Sequence, residues 1–292
     1  KLIIDGNITV NKKTVKKNLK LSYGDIIEVD TSQIETNELL PKLKKWDYPL
    51  EVIHEEDDFA IINKPFGVIS HPTSKNKDKT LVNILLNKFE DKLSNHPDLL
   101  RPGIVHRLDK DTTGVMIIPF NEYSHWKIAD QFKDRTIQKE YLALTWGEWD
   151  EDKGLIENKL SRSKQNPLKF QSSIEGKIAT SLFKLIKRGK YFSSINFFPK
   201  TGRTHQIRIH CSEKGYPIIG DELYGGGWKK LNEYLPEVQK KIKNKISIQN
   251  GHFLHAKSIS FSHPKTNEKI TFDAKPSEVF NKLLNMIENE EI

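Results

Sequence analysis

Cysteine is almost absent from this sequence, and long apolar runs are missing. Cys211 is the only cysteine among 292 residues, so one chain can form neither a disulfide framework nor a cysteine-rich zinc site. No stretch reaches the roughly 18 apolar residues of a membrane span, and no signal-peptide pattern is visible. These absences predict a reducing, cytoplasmic setting without a membrane partner. Because the sequence begins at Lys1 rather than at a methionine, we also expect it to be part of a longer chain.

Motifs for bound metals and nucleotide cofactors are missing as well. The ten histidines form no His-Glu-x-x-His motif, and no Cys-x-x-Cys pair occurs. His205, His210, His252 and His255 have no thiolate or helical carboxylate partners at metal-ligand spacing. The chain has neither a G-x-x-x-x-G-K-[ST] loop nor a strand-linked G-x-G-x-x-G. The sequence therefore predicts no metal site and no cofactor.

Positive charge is in surplus. Lys and Arg number 47 against 39 Asp and Glu, which gives a net charge of +8, and 36% of the residues are hydrophobic. The apolar residues fall in clear blocks, so the chain is globular. A basic surplus favours polyanionic partners such as nucleic acid, although charge alone does not identify one. A monomer is the default expectation for the oligomeric state.

The organisation of the chain changes twice. Residues 1–30 contain two short β-like runs, "NITV" and "DIIEV", separated by the turn formers Asn11 and Gly24. Residues 31–48 are polar and typical of a linker. From residue 49 to 292, strand-like and helix-like patterns follow one another. We therefore predict a small basic N-terminal element, a linker and one large domain.

The sequence pattern of the large domain predicts an α+β fold. Thr80 and Asn121 are suited to cap two helices, the second of which extends to about Lys133. Several runs rich in β-branched and aromatic residues follow, with Gly189 in a hairpin turn between two of them. Strands in sequential runs with few helices between them predict a central mixed, largely antiparallel sheet flanked by helices.

The segment "HRLDKDTTG" places two carboxylates and several cations immediately before the apolar strand "VMIIPF". Gly114 permits a tight bend before that strand. Asp109 and Asp111 are both candidate catalytic carboxylates, and the neighbouring Arg107 and Lys110 favour their ionised forms. The segment is either an active-site loop or a salt-bridged surface turn.

A second segment, "KTGRTHQIRIHCSEKG", predicts a short helix. Thr204 is suited to be its N-cap and Gly215 its C-cap, and Ile207 and Cys211 can face the core together. Arg208 is then either a surface arginine in an ion pair or a cleft arginine that binds a carboxylate or phosphate.

A tyrosine at the start of the strand "QKEYLAL" is the third candidate. Tyr141 stands two residues after Lys139, at the edge of an apolar run. A tyrosine at such a position is either a core residue or a side chain that faces a site.

The segments "INKPFGVISHP", "GIVHRLDKDTTG", "QKEYLAL" and "KTGRTHQIRIH" occur in this order and together closely resemble the RluA family of pseudouridine synthases. The resemblance covers roughly residues 46–275. The Thr-Thr-Gly ending, where many relatives carry Thr-Ser-Gly, is similar to the RluD-like branch that acts on large-subunit ribosomal RNA. The resemblance implies isomerisation of specific uridines to pseudouridine in structured RNA, without a cofactor. Transfer RNA as the substrate, and a non-catalytic RNA-binding module on the same scaffold, are the alternatives.

Residues 1–30 resemble the second half of an S-four-type RNA-binding domain. Two departures stand out: Asn11-Lys12-Lys13 replaces the usual Asn-Gly-Lys, and the first helices of that domain do not precede it in this sequence. The resemblance therefore implies a partial domain.

The resemblance also implies roles for individual residues. Asp109 matches the essential aspartate of the family, and Arg208 matches the arginine that pairs with it. Tyr141 matches the tyrosine that stacks on the uracil base, and Arg107 the arginine that fills the gap left by a flipped uridine. Four more positions in these motifs are expected to bind substrate: His106, Lys139, Arg203 and Ile207.

The fold expected from this resemblance brings residues 106–114, 139–141 and 203–210 together in a basic cleft. A glycoside-cleaving enzyme that uses Asp109 and Asp111 as its carboxylate pair is a more distant alternative.

Overall fold

The computed structural model describes residue 3 and residues 6–30, 43–73, 76–94, 100–245 and 250–289. The chain divides into two compact units, Lys1–Lys42 and Leu43–Ile292. Most of the predicted linker, residues 31–42, lies outside the described residues. None of the described helices is long and apolar enough to cross a bilayer.

The first unit contains a three-stranded antiparallel sheet in the order β2-β1-β3. Its strands are β1 (Ile8–Val10), β2 (Lys13–Thr14) and β3 (Ile27–Val29). Asn11 and Lys12 form the turn between β1 and β2, with φ of 52° and 63°. Two successive residues in this left-handed region make the kind of hairpin turn in which glycine usually follows asparagine, and Lys12 stands in its place.

The second unit is built around a ten-stranded sheet. Its strands are β4 (Glu51–Glu55), β5 (Phe59–Lys64), β6 (Thr113–Pro119), β7 (Gln138–Trp146), β8 (Lys153–Arg162), β9 (Phe170–Ser172), β10 (Lys177–Arg188), β11 (Phe192–Pro199), β12 (Leu254–Ser262) and β13 (Lys269–Asp273). The helices are α1 (Leu81–Phe89), α2 (Glu122–Lys133), α3 (Gln206–Glu213), α4 (Pro236–Lys245) and α5 (Glu278–Glu288).

The strand order is β4-β5-β6-β12-β7-β11-β10-β8-β9, and β13 pairs with β12. Among the described strands, β6 and β12 pair in parallel and the other neighbours pair antiparallel. The predicted α+β fold with a mixed, largely antiparallel sheet is therefore confirmed. Gly189 lies between β10 and β11, as the hairpin prediction required.

Helix boundaries follow the sequence in two cases and depart from it in one. Thr80 and Asn121 are the N-cap residues of α1 and α2. The prediction that Thr204 caps α3 was wrong, because His205 occupies the N-cap position with φ of 57°. The amide N–H of Gln206 donates to the carbonyl of Arg203 at 3.1 Å, and this turn shifts the start of the helix by one residue.

One glycine lets β6 and β12 approach closely. Gly114 has φ of 117°, and a Cβ added there would lie 2.2 Å from the carbonyl oxygen of Ala256 on β12. Only a residue without a side chain tolerates that backbone conformation and that separation. The loop before β6 is thereby placed beside the start of β12.

Candidate active site

One pocket collects the three segments that the sequence singled out. It is lined by residues of the loop before β6, of the start of β7, and of the turn and helix α3 that follow β11. The predicted site residues that line it are Arg107, Asp109, Lys139, Tyr141, Arg203, Ile207 and Arg208. The expected convergence of these segments is therefore observed.

Buried polar groups hold the loop that carries Asp109. The hydroxyl of Ser70 donates to the carbonyl of Leu108 at 2.7 Å and accepts from the Leu108 amide at 3.2 Å. The ammonium of the buried Lys64 donates to the carbonyl of Lys110 at 3.0 Å. Hydrogen bonds on both sides of Asp109 therefore hold the backbone of the loop in place.

Two threonines, at the end of the loop and at the first position of β6, contact histidines at and just before the start of β12. The hydroxyl of Thr113 is 2.7 Å from Nδ1 of His255, and Nε2 of His255 is 2.9 Å from the carbonyl of Ala274. Because a carbonyl only accepts, Nε2 carries the proton and Nδ1 accepts from Thr113. Thr112 contacts Nε2 of the buried His252 at 2.7 Å. Burial lowers the pKa of His252 to about 4, so this imidazole is neutral at physiological pH.

Asp109 and Arg208 meet inside the pocket. Nη1 of Arg208 donates to Oδ2 of Asp109 at 3.1 Å, and Nε2 of His205 lies 3.8 Å from the same oxygen. Burial works to raise the pKa of Asp109, but the nearby histidines when protonated, and the permanent cation Arg208, outweigh it and hold that pKa below its usual value. The carboxylate is therefore ionised at neutral pH.

A second carboxylate, that of Asp221, holds Arg208 in place. It accepts hydrogen bonds from Nε and Nη2 of Arg208 at 2.7 and 2.8 Å. The guanidinium also lies over the ring of Tyr224, 5.0 Å from its centroid. Burial opposes the charge of Arg208, but the two aspartates raise its pKa above the ordinary value. Arg208 is thus a buried cation whose Nε–Nη2 edge binds Asp221 and whose Nη1 donates to Asp109.

Tyr141 forms another wall of the pocket. It lies on β7 between Phe197 of β11 and Ala256 of β12. Burial, and then the charge of Asp109, raise the pKa of Tyr141 well above its ordinary value, so the hydroxyl keeps its proton. No hydrogen bond joins that hydroxyl to the part of the chain that the structure describes. A neutral phenol is therefore available to the pocket.

The remaining predicted residues of the pocket differ in how far they are exposed to solvent. Ile207 is buried and Lys139 half-buried, whereas Arg107 is exposed at the mouth. Nε of Arg203 donates to the carbonyl of Ile178 at 3.0 Å.

His106 lines the adjoining groove rather than the pocket. Its Nε2 accepts from the amide of Ile117 at 2.9 Å, and its ring stacks on Phe132 with a centroid distance of 4.5 Å. Burial and, second, Lys139 lower the pKa of His106 to about 3. This neutral ring anchors the loop to β6.

The two carboxylates of the "HRLDKDTTG" segment differ in environment. Asp111 does not line the pocket formed by the described residues, and burial raises its pKa despite Lys110 and Lys64 nearby. Asp109 and Asp111 thus do not face one pocket as a catalytic pair, and the glycosidase alternative loses its geometric basis.

Sequence reasoning did not identify several residues of the site. Asp221 was passed over, although an acid directly after the apolar "PIIG" is the signal that would have found it. His205, Thr112, Gln206 and Leu254 also line the pocket. Gln206 orders the turn before α3, because its side chain accepts from Thr201 at 2.6 Å.

Carboxylates and a histidine also gather outside the pocket. Glu56, Asp58 and His263 have ligand atoms within 4.8 Å of one another. Their polar atoms already have protein partners, since His263 contacts Glu56 at 2.8 Å and Asp58 accepts from Lys265 at 2.7 Å. The cluster is accounted for as an ion-pair network.

Comparison with known proteins finds similar chains in one enzyme family. Residues 58–213 match the family described as RNA pseudouridylate synthase. A Bacillus subtilis protein, "Uncharacterized RNA pseudouridine synthase YlyB", is 33% identical over 270 residues, which cover 92% of this chain and 82% of that protein. "Ribosomal large subunit pseudouridine synthase D" of Borreliella burgdorferi is 36% identical over 245 residues, which cover 81% of this chain and 75% of that protein.

A solved structure shows the same fold. "Human RNA Pseudouridylate Synthase Domain Containing 4" superimposes with a TM-score of 0.62 at 22% sequence identity, covering 82% of this chain and 93% of that one.

Proposed function

The chain belongs to the RNA pseudouridylate synthase family, and we propose that it converts uridine to pseudouridine in large-subunit ribosomal RNA. The ribosomal substrate is supported by relatives named "Ribosomal large subunit pseudouridine synthase D" in two bacteria, 36% and 35% identical to this chain. A ribosomal substrate would place the enzyme in the cytoplasm, and we expect it to act as a monomer. Transfer RNA is the alternative substrate.

One observation carries the assignment of the site: the ionised Asp109 lies in a pocket between Arg208 and the neutral phenol of Tyr141. In the reaction the bond between N1 of uracil and C1′ of ribose breaks and a bond between C5 and C1′ forms. N1 gains a proton and C5 releases one, so the net change is an isomerisation. No electron is gained or lost, and the chemistry requires no redox cofactor.

We propose that Asp109 acts on the ribose through its free oxygen. Oδ2 is bound by Arg208, whereas no described side chain or amide donates to Oδ1. Cleavage of the glycosidic bond develops positive charge on the sugar, and a carboxylate can stabilise that charge, attack C1′ or remove a neighbouring sugar proton. Each of these three roles requires the ionised form, which Arg208 maintains.

The other pocket residues suit a uracil ring taken out of an RNA stack. Tyr141 offers a flat face to the base and a hydroxyl for proton relay, and Ile207 adds an apolar wall. Extruding a base costs roughly a few kcal/mol. Arg107, exposed at the pocket mouth, is suited to fill the vacated space because a planar guanidinium can stack and also bind phosphate.

Residues 1–30 are proposed to be part of an S-four-type RNA-binding domain. The support is their basic composition and their small antiparallel sheet. This part of the proposal concerns RNA recognition and not the chemical step.

Tritium release from RNA labelled at C5 of uracil tests the function. Ribosomal RNA transcripts and transfer RNA are compared with the wild type and Asp109→Asn, which preserves the shape of the side chain. We expect release from ribosomal RNA by the wild type only. If the wild type releases more tritium from transfer RNA, transfer RNA becomes the assigned substrate. If the wild type binds RNA but releases no tritium, the chain is a non-catalytic RNA-binding module.

A further inference from the structure

A groove that continues the active-site pocket has an unusual charge. It is formed by residues 105–107, by the segment from the end of α2 to the start of β7, and by residues 200–203. It shares Arg107, Lys139 and Arg203 with the pocket. Its described lining contains six cationic side chains and no carboxylate: Arg107, Lys133, Arg135, Lys139, Lys200 and Arg203.

These cations lack the carboxylate partners that lysines have elsewhere on the surface. Lys92 pairs with Glu55 at 2.9 Å and Lys257 with Glu140 at 2.8 Å. Within the described ranges, no ion pair involves any of the six groove cations. Each therefore presents an uncompensated charge.

The groove cations also repel one another. Burial lowers the pKa of Lys139, and the charge of Arg135 lowers it further. Like charges brought together without a counterion destabilise a fold, so their concentration at one place favours an anionic ligand. The groove lining also includes the stacked rings of His106 and Phe132.

We propose that this cationic groove holds the phosphodiester backbone of the RNA next to the target uridine. The proposal rests on the proposed function, because it takes RNA as the polyanion. A strand that places its uridine beside Asp109 must leave the pocket, and the groove is continuous with the pocket through Arg107, Lys139 and Arg203. Lysine and arginine bind phosphates by charge and release counterions when they do so. These contacts position the strand rather than read its sequence.

Two triple variants distinguish the effect of charge in the groove from the effect of the total charge of the protein. The groove variant is Lys133→Gln, Arg135→Asn and Lys200→Gln, three cations that line the groove but not the pocket. Asparagine is chosen for Arg135 because φ is 60° there, a conformation that asparagine tolerates. The control variant changes three exposed lysines that line neither, Lys153, Lys184 and Lys240, to glutamine. Each variant removes the same charge from a chain of net charge +8.

The probe is a large-subunit ribosomal RNA transcript, with its affinity measured by fluorescence anisotropy between about 50 and 200 mM salt. We expect the groove variant to bind about ten- to a hundredfold more weakly and to lower the slope of log K against log salt by about two to three. In turnover assays the loss should fall on KM rather than on kcat. The control should bind like the wild type, and thermal unfolding checks that both variants are folded.

Equal affinities and salt slopes of the two variants would overturn the groove proposal, and an acidic protein would then be the polyanion to test. This failure differs from a failure of the proposed function. If the wild type forms pseudouridine and the groove variant binds RNA as the control variant does, only the groove proposal is contradicted. A wild type that binds RNA through the groove but forms no pseudouridine contradicts the proposed function alone.

Discussion

The carboxylate of Asp221 binds the guanidinium of Arg208 through two hydrogen bonds, of 2.7 and 2.8 Å, in the interior of the domain. Arg208 reaches Asp109 with its remaining terminal nitrogen. We therefore expect Asp221 to act on Asp109 through Arg208, as a positioning residue in the proposed site.

Asp221→Asn should lower kcat by about 10- to 100-fold with little change in KM. The amide removes one charged hydrogen-bond partner, so Arg208 can shift, and displacements of about 1 Å at a reacting group cost such factors. Single-turnover pseudouridine formation measures the effect. The matched control is Asp152→Asn, which removes an exposed partner of Arg188 and should change nothing. A loss confined to RNA affinity would contradict the positioning role.

The acid side of the pH–rate profile should depend on Arg208. In the wild type the lowered pKa of Asp109 keeps it ionised at neutral and mildly acidic pH, so we expect no loss of activity from this group in that range. The double variant Arg208→Gln, Asp221→Asn removes the guanidinium together with the Asp221 carboxylate, so that Asp221 is not left as a buried charge without its partner. Asp109 then loses the charge and the hydrogen bond of Arg208, both of which lower its pKa, so that pKa should rise and activity should be lost at a higher pH as pH falls.

The control for this profile is Arg203→Gln, which removes a cation from the pocket lining that does not contact Asp109. Its acid limb should coincide with that of the wild type. Equal shifts in both variants would assign the effect to overall charge rather than to the contact with Arg208.

Tyr141→Phe should reduce kcat by roughly 100-fold while RNA affinity is retained. The aromatic face remains, but the hydroxyl is lost. Because burial and Asp109 raise the pKa of Tyr141, the phenol is neutral and we expect no alkaline limb from it below about pH 9. Tyr191→Phe, outside the pocket, is the control. Full activity of Tyr141→Phe would exclude the hydroxyl from the reaction.

Gly114→Ala should destabilise the domain by about 3 kcal/mol or more. The new Cβ would lie 2.2 Å from the carbonyl oxygen of Ala256 and would separate β6 from β12. Gly67→Ala is the matched control, since φ is 76° there but nothing lies within 4 Å of the added Cβ. Its cost should be about 1 kcal/mol, from the backbone alone. Equal losses in urea unfolding would mean that the close approach of the strands does not matter.

Lys64 should make the free energy of unfolding of the domain change with pH above neutrality. Burial lowers its pKa to about 7, despite the opposing charges of Asp111 and Asp109. An unfolded lysine holds its proton to about pH 10.4, so between these values the unfolded state binds more protons and the free energy of unfolding rises with pH. Lys64→Met lacks this rise.

The measurement is urea unfolding of the wild type and Lys64→Met at several values from about pH 7 to pH 9. The difference between the two proteins should move in favour of the wild type as pH increases. Lys88→Met, which removes an exposed lysine of α1, should show no such trend. A pH-independent difference for Lys64→Met would show that Lys64 does not lose its proton in this range.

The main features of the fold could be predicted from local patterns. Asn121 caps its helix because its side chain accepts from the amide of Ser124, and at Thr80 the side chain of Asn83 accepts from the amide and the hydroxyl of the cap residue. The failure at Thr204 has a different cause. The side chain of Gln206 contacts Thr201 and also donates to the carbonyl of Thr180, and this tertiary anchor moves the start of α3.

The motifs indicated which residues take part in the candidate site, but not how those residues are paired. Asp109 and Arg208 are 99 residues apart in the chain, and their ordered motifs led to the prediction that they meet. Asp221 has only the weaker signal of an acid after an apolar run, and His106 occupies a motif yet faces β6. Both outcomes depend on which backbone groups the fold brings near each side chain.

Local order along the chain is a property of neighbouring residues, so the sequence alone determined the alternation of strands and helices, the basic charge and the chemical types gathered in the motifs. Protonation states and ion pairs depend on burial and on distances through space. The tertiary structure therefore decided that Asp109 is ionised and Tyr141 neutral, and that Arg208 bridges two aspartates.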